Sequence, residues 1–317
     1  MISPREHPIG PWLVALGAAL WGTESAWRIP LNEVFSVDVV VLWEHVILVI
    51  CALPLVIPRL GELRRVHART MAWLVFSGVA GSAVGAVLFT LALKQGNATI
   101  ANVVLNVQPV LSAAAACLIF GDRLARTFYP WAMLAVVAGM VLVGFAPGSG
   151  MTFDAGAGYA LLCALLWGLS TVAGRGVMVE MSLPLAAGLR VIVGLATMVV
   201  IVAARGELSS EALWPTAAAV EPVRVVIWLV LLATLSGGVP LLVYFKGLEL
   251  TRASTAAYFE MVQTLVAVVI TWVFFHAGWM WHQVAAAAVL MGAVVMVQRA
   301  QEHTALPYAA PVAMPAR

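Results

Sequence analysis

The sequence predicts an all-α integral membrane protein with ten transmembrane helices, folded as two inverted five-helix repeats. Three observations predict it. The chain is 63% hydrophobic and 10% charged, with a mean hydropathy of +1.00. Soluble domains run at about 45–50% apolar and about 25% charged, so this chain has too few charges to cover a soluble surface. Apolar runs recur at a length that can cross a hydrocarbon core, which takes roughly 20 residues of helix. Finally, two stretches of the first half return, in the same order, in the second.

The spans can be taken in turn. Trp12–Ile29 is the first, and it is retained: the run continues through Glu24 to Arg28, with no short apolar core and small-residue cleavage site of a signal peptide. Val37–Ile57 follows, then the basic loop Pro58–Arg69 and the span Met71–Leu93. Thr99–Phe120 ends at the short charged turn Gly121–Thr127, and Phe128–Phe145 at the Gly- and Pro-rich Pro147–Asp154. The second half gives Ala157–Val177, Leu185–Ala203, Val225–Gly247, Thr255–Phe275 and Trp279–Val297. Arg205–Pro222 is the longest loop, acidic and interfacial in character, and the proline-bearing tail after Gln301 is expected to be a disordered cytoplasmic segment, residues 301–317. Trp73, Trp131, Trp228, Trp279 and Trp281 fall near span ends, as an interfacial belt does.

Lys and Arg in the loops set the orientation. With the N-terminus cytoplasmic, the inside carries Arg5, Arg59, Arg64, Arg65, Arg69, Arg123, Arg126, Arg175, Arg252, Arg299 and Arg317, and the outside only Arg28, Lys94, Arg205 and Arg224. Both termini are therefore expected in the cytoplasm of a bacterial-type inner membrane.

The repeat is read from two matches. ALGAALWGT at 15–23 aligns with LLCALLWGL at 161–169, which sets Trp21-Gly22 on Trp167-Gly168. Ala92-Leu93-Lys94 aligns with Gly247-Leu248-Glu249, and the same register puts Gln108 on Gln263 and Phe120 on Phe275. Each half has an odd number of spans, so the second inserts upside down relative to the first, a pattern of secondary transporters. The halves are expected at residues 1–150 and 151–300.

Here the chain resembles a known family, the drug/metabolite transporter superfamily in its ten-helix EamA-type branch. The resemblance rests on the LWG of spans 1 and 6, the stretch Phe89–Ala98, Gln108-Pro109-Val110 in span 4, and the closing Phe120-Gly121-Asp122. Asp122 stands where members commonly have Glu. In the second half Thr264 replaces the proline and His276-Ala277 the Gly-Glu pair, and Glu44 stands where span 7 has Arg190. The resemblance implies a secondary transporter of small metabolites that exports them by alternating access; it says little about which metabolite.

Polar residues inside the spans are the candidate site, because ionisable groups in hydrocarbon are costly and tend to be functional. Glu24 and Arg28 stand four apart in the favourable order for a side-chain pair. Glu24 lies about 18 Å along the first helix, past the midplane. The pair either orients helix 1 or lines the transport cavity. Asn102, Asn106 and Gln108 give span 4 a polar face around Pro109, which frees a carbonyl one turn back. Span 9 carries Tyr258, Glu260 and Gln263, with Lys246 at a similar depth as a candidate partner. Trp21, Trp167 and Tyr244 are aromatic candidates for cavity gates or for packing. Arg190 reads as a structural anchor bonding helix-end carbonyls, and a pairing of Glu44 with Arg28 is one way to accommodate Glu44. The glycines of spans 3 and 8 permit close approach and bending.

The site set is thus Trp21, Glu24, Asn102, Asn106, Gln108, Trp167, Tyr244, Tyr258, Glu260 and Gln263, with an amino acid or similar amphiphile as substrate. Protons are candidates for the coupling ion. No cofactor or metal is expected: there is no Walker motif, and Cys51, Cys117, Cys163 and the histidines show no ligand spacing. A net charge of +2 on scattered residues gives no nucleic-acid footprint. The partners are a small-molecule substrate and membrane lipid, in a monomer or homodimer. The competing readings are a membrane-embedded enzyme acting on a lipid or isoprenoid and an accessory membrane subunit; the first lacks a carboxylate cluster or nucleophile–base pair, and the second leaves the polar residues of spans 1, 4 and 9 unexplained.

Overall fold

A computed structural model describes residues 8–121, 124–146, 150–151, 155–215, 220–250, 259–278 and 280–302. Apart from a ladder of two short strands, β1 (Phe145–Ala146) and β2 (Gly150–Met151), the described elements are helical. Seven of them are long and apolar enough to cross a membrane, and two shorter apolar helices accompany them, Phe128–Gly139 and Val262–Phe275. Large apolar side chains such as Leu118, Val179, Phe274 and Trp281 are left exposed on the outside, as a lipid-facing surface requires.

The first expected span is two helices. α1 (Gly10–Gly22) stops at Thr23 and α2 (Glu24–Val34) starts anew, carrying the helical course past the expected end at Ile29. Thr23 turns its hydroxyl back on the Leu20 carbonyl at 2.6 Å, which satisfies a group released by the break. α3 (Val37–Val56) is capped by Ser36, whose Oγ accepts from the Val39 N–H at 3.3 Å, and runs on into a 3-10 stretch, Ile57–Arg65.

The third span is one helical course in three pieces: α4 (Ala68–Phe76), a π-helical segment Ser77–Val84, and α5 (Gly85–Gln95). Its counterpart in the second half has the same construction: α12 (Pro222–Ala233), a π-helical segment Thr234–Gly238, and α13 (Val239–Glu249). The π segments hold Gly78 and Gly81 in span 3 and Gly237 and Gly238 in span 8, and Gly85 opens α5 directly after the first. π-helical turns are uncommon and cluster at functional positions.

Asn97 caps α6 (Ala98–Val104) by accepting from the Thr99 and Ile100 N–H groups. A 3-10 turn, Leu105–Val107, then precedes α7 (Gln108–Phe120), so the helix loosens just where Pro109 predicts. The remaining helices are α8 (Phe128–Gly144), α9 (Ala155–Val177), α10 (Leu183–Ala204), the short α11 (Ser210–Leu213), α14 (Val262–Phe275) and α15 (Trp281–Glu302). α11 puts structure in the long loop, its Leu213 carbonyl accepting from the Trp43 indole at 3.0 Å. Arg205, at the end of α10, reaches Asp38 at 2.9 Å.

Glycine fixes how close the helices come. α1 packs on α13 with Gly17 against the Tyr244 backbone; a Cβ there would sit 2.9 Å from the Tyr244 N. α9 packs on α5 and the π segment before it, with Trp167 lying over Gly85 and Ser170 over Gly81. The largest apolar core joins α5, α6, α7, α8, α9 and α15 through residues such as Phe89, Val104, Ala135 and Leu290.

A further cluster, Val56, Leu74, Val177, Met181, Leu185 and Ala186, gathers where α3 and α9 end and α10 begins. Two loops are latched beside it. Glu62 accepts from the Ser182 N–H and hydroxyl, each at 2.8 Å. Glu180 accepts from the His67 N–H at 2.8 Å, and that bond is the chief reason its carboxyl sits below the ordinary carboxylate range.

Candidate functional site

The break at Thr23 makes Glu24 the first residue of α2, where a carboxylate meets the positive end of the helix dipole. Discontinuous helices of this kind commonly build transporter sites. One turn on, Arg28 is buried, 1% exposed, so it does not snorkel to an interface. Its guanidinium is bonded on every nitrogen. Nε donates to Glu24 Oε1 at 2.9 Å, and Nη2 to the same oxygen at 2.5 Å. Nη2 also donates to Glu44 Oε1 and Oε2 at 2.9 and 2.8 Å. Nη1 donates to Thr90 Oγ1 at 2.8 Å, and the Arg28 Cζ lies 5.8 Å from the centre of the Phe89 ring.

The result is a charge triad drawn from two spans: two carboxylates on one guanidinium, all inside the bundle. If all three are ionised it carries one net negative charge. The described bonds to Glu24 fall on Oε1, and Oε2 is left for a proton or a ligand.

Beside the triad, Ser25 accepts from Asn102 Nδ2 at 2.9 Å, which ties α2 to α6. The other Asn102 amide bond goes to the Ala98 carbonyl at 2.8 Å. Asn106, in the 3-10 turn, donates to the Val103 carbonyl at 2.9 Å and accepts from Thr264 at 2.9 Å. Thr99 and Thr271 bond at 2.8 Å. From one contact to the next the chain advances seven residues in span 4 and retreats seven in α14, so these two helices run antiparallel.

A second polar group lies across the bundle. Tyr244 donates to Glu260 Oε1, and Gln298 donates to Glu260 Oε2 at 3.2 Å. Lys246, expected beside Glu260, is exposed. Trp21 joins the groups: its ring packs on Tyr244 with centroids 4.9 Å apart, three residues before Glu24. Trp167 packs in the same manner on Phe89, at 5.7 Å. The two aromatic pairs are equivalent under the register read from the sequence, which sets Trp21 on Trp167 and Phe89 on Tyr244.

Of the ten candidate residues, then, Trp21, Tyr244 and Glu260 come together, Glu24 and Asn102 meet through Ser25, and Trp167 packs on Phe89, which also contacts Arg28. Gln108 and Gln263 are half-buried and make no described side-chain bond; the Gln263 carbonyl packs over Gly22. Tyr258 lies outside the described residues. Thr90, Ser25, Thr264 and Phe89 were not among the candidates. Phe89 alone had a signal, its alignment with Tyr244; the others are small hydroxyls that look like ordinary membrane-helix packing. Among the described residues no group of three or more His, Cys, Asp or Glu could hold a metal ion.

These features define a polytopic α-helical membrane protein with charged groups held inside its bundle. The chain belongs to the EamA-like transporter family, which matches it twice, over residues 8–145 and again over 154–299. Solved structures agree in fold. One of 26 similar chains, titled only "Crystal structure of protein", gives a TM-score of 0.57 at 16% identity and covers 93% of this chain and 99% of its own length. No curated protein matches.

Proposed function

We propose that this protein is a secondary transporter that exports a small organic metabolite, an amino acid or similar amphiphile, by alternating access across a bacterial-type inner membrane. The observation that carries the reading is the Glu24–Arg28–Glu44 triad at the break in the first span. A triad with one carboxylate too many is unfavourable in a low-dielectric interior. A proton on Glu24, or a cationic group of the substrate, balances it, and a group whose charge must be balanced from outside is suited to coupling. Trp21, Asn102, Asn106, Gln108, Trp167, Tyr244, Tyr258, Glu260 and Gln263 are proposed to line the substrate path with Glu24.

The proposed architecture is ten spans in two inverted repeats, residues 1–150 and 151–300, with both termini cytoplasmic. Five matched features support it: the double family match, the π segments of spans 3 and 8, the equivalent Trp–aromatic pairs, the antiparallel course of spans 4 and 9, and the left-handed residues that end them, Gly121 and His276. The apolar cluster where α3 and α9 end and α10 begins, with its loop latches, suits one gate of an alternating-access cycle.

Counterflow of labelled amino acids in proteoliposomes tests the reading. Wild type should exchange at least one of them. Glu24→Gln should insert normally, melt within a few degrees of wild type, and lose at least tenfold in rate or lose its pH dependence. An unchanged rate and pH profile in that variant would remove the triad from the transport cycle. Absence of counterflow across a panel that includes amines and aromatic acids would sink the transporter reading.

A further inference from the structure

The register that aligns Trp21 with Trp167 also sets Glu24 on Ser170, Arg28 on Gly174 and Glu44 on Arg190. In the first half the span-2 charge, Glu44, is matched by Arg28. In the second half the position equivalent to Arg28 is Gly174, so the span-7 charge, Arg190, is offered no such partner. The structure bears directly on what is left there. Among the described residues Arg190 has no hydrogen-bond or ion-pair partner, and its Nε is buried with no acceptor. It does not bond helix-end carbonyls, so the expectation of a structural anchor is corrected.

The surroundings are built for a polar group of modest size. Arg190 Nη2 lies 2.9 Å from the place a Cβ on Gly81 would take, and Ser170 is closer still, so a side chain at Gly81 would crowd both. Ser77 and Ser170 stand beside Gly81 with their hydroxyls 2.8 Å apart. Gly174 is one turn from Ser170 on the same face of α9, and a Cβ there would meet nothing within 4 Å. There is open space, then, where the first half holds a guanidinium. One turn along α10, Gly194 packs on His45, which is occupied with the Val41 carbonyl at 2.8 Å and Ser82 Oγ at 2.9 Å. Among the described residues no carboxylate serves Arg190.

We propose that Arg190, with the Ser77–Ser170 hydroxyls and the space at Gly174, is a recognition site for the carboxylate of the transported metabolite. A half-buried cation whose Nε is out of water and without an acceptor is unfavourable. Fold stability gives no reason to keep it, whereas a ligand that brings the missing anion does. The carboxylate plays toward Arg190 the part that Glu44 plays toward Arg28, accepting two N–H bonds from one guanidinium. The site is distinct from the triad: Gly81 and Thr90 are nine residues apart on span 3, about 13 Å by helical rise, too far for one small amino acid to bridge. Leu189, next to Arg190, packs against the apolar cluster around Leu185; a free carboxylate and an anionic lipid headgroup offer the same chemistry here, and the test separates the two.

The proposal rests on the transporter reading only in calling the anion a cargo, and its test reads binding and not flux. Full-length protein in a neutral maltoside detergent is titrated with benzoate and with its uncharged isostere benzamide, and melting is followed. Benzoate should raise the melting temperature by linkage, and benzamide should not. Arg190→Met should weaken benzoate at least tenfold, and Arg190→Lys should retain part of the binding. Gly174→Leu should fold, since it meets open space, and should lose benzoate by filling the site. Without ligand, Arg190→Met should melt at or above the wild-type temperature because no bond is lost. A lower melting temperature for Arg190→Met, equal effects of benzoate and benzamide, or full benzoate binding in Gly174→Leu would each overturn the proposal. So would stabilisation by phosphatidylglycerol alone, which would mark a lipid site. Benzoate binding without counterflow of any metabolite would leave the site standing and remove the transporter reading instead.

Discussion

Arg28 shows how much one side chain can be asked to do in hydrocarbon. It bonds two carboxylates, a threonine hydroxyl and an aromatic face, and it is 1% exposed. Removing it leaves Glu24 and Glu44 as neighbouring anions with no counter-charge. Breaking a buried pair by deleting one partner costs about 3–5 kcal/mol. Arg28→Met should therefore lower the melting temperature sharply, and Glu24→Gln, which leaves a neutral Glu44–Arg28 pair, should not. Equal melting of the two variants would mean that water, and not the carboxylates, satisfies the guanidinium. The Glu24–Arg28 contact was legible in the sequence because it is local: four residues on a helix fix the geometry. Its extension to Glu44 was only one option among several, and Thr90 was silent, because pairing across spans depends on how each helix is rotated about its axis.

At the scale of elements the two halves answer each other in detail. α7 ends on Gly121 at φ +70° and ψ 23°, and α14 ends on His276 at φ 53° and ψ 24°. The left-handed position is ordinary for glycine and costs other residues roughly 1–2 kcal/mol. The sequence showed His276 replacing the glycine; the backbone kept the turn regardless, since α14 must still hand its chain to Asn97, which donates to the Gly278 carbonyl, and to Thr99, which donates to the Ala277 carbonyl. His276→Gly should accordingly stabilise by about 1 kcal/mol, read as a higher melting temperature, while His276→Val should lower it. A stabilising valine would show that the turn is not left-handed. The glycines of spans 3 and 8 marked places of bending, but the particular deformation, a π segment in each, was not readable. It arises when a helix takes in one more residue per turn to meet its neighbours, and that demand comes from packing.

For the whole molecule the open quantity is the number of crossings and their sense. The first, fifth and ninth expected spans are interrupted or short among the described residues, so length alone identifies seven helices. The proposed topology predicts that a reporter fused after Arg69 or Arg126 reads as cytoplasmic and one fused after Gly150 as external. A cytoplasmic signal after Gly150 would remove the five-span half and the inversion with it.

The sequence by itself determined the solvent and the family. Composition and run length force a helical membrane protein, since in hydrocarbon the backbone must satisfy its own polar groups, and the repeated LWG and span-3 stretches carry the resemblance to EamA-type transporters. It also determined which residues were out of place, because a charge inside an apolar run is visible without coordinates. Only the tertiary structure decided their company: that Arg28 holds two glutamates, that Tyr244 and Gln298 serve Glu260, and that Arg190 has no partner among the described residues. Hydropathy is a sum along the chain, and it survives any rotation of a helix. Pairing is a matter of rotation and depth, set by where Gly17, Gly81 and Gly85 let neighbouring helices close up, and no local pattern encodes it.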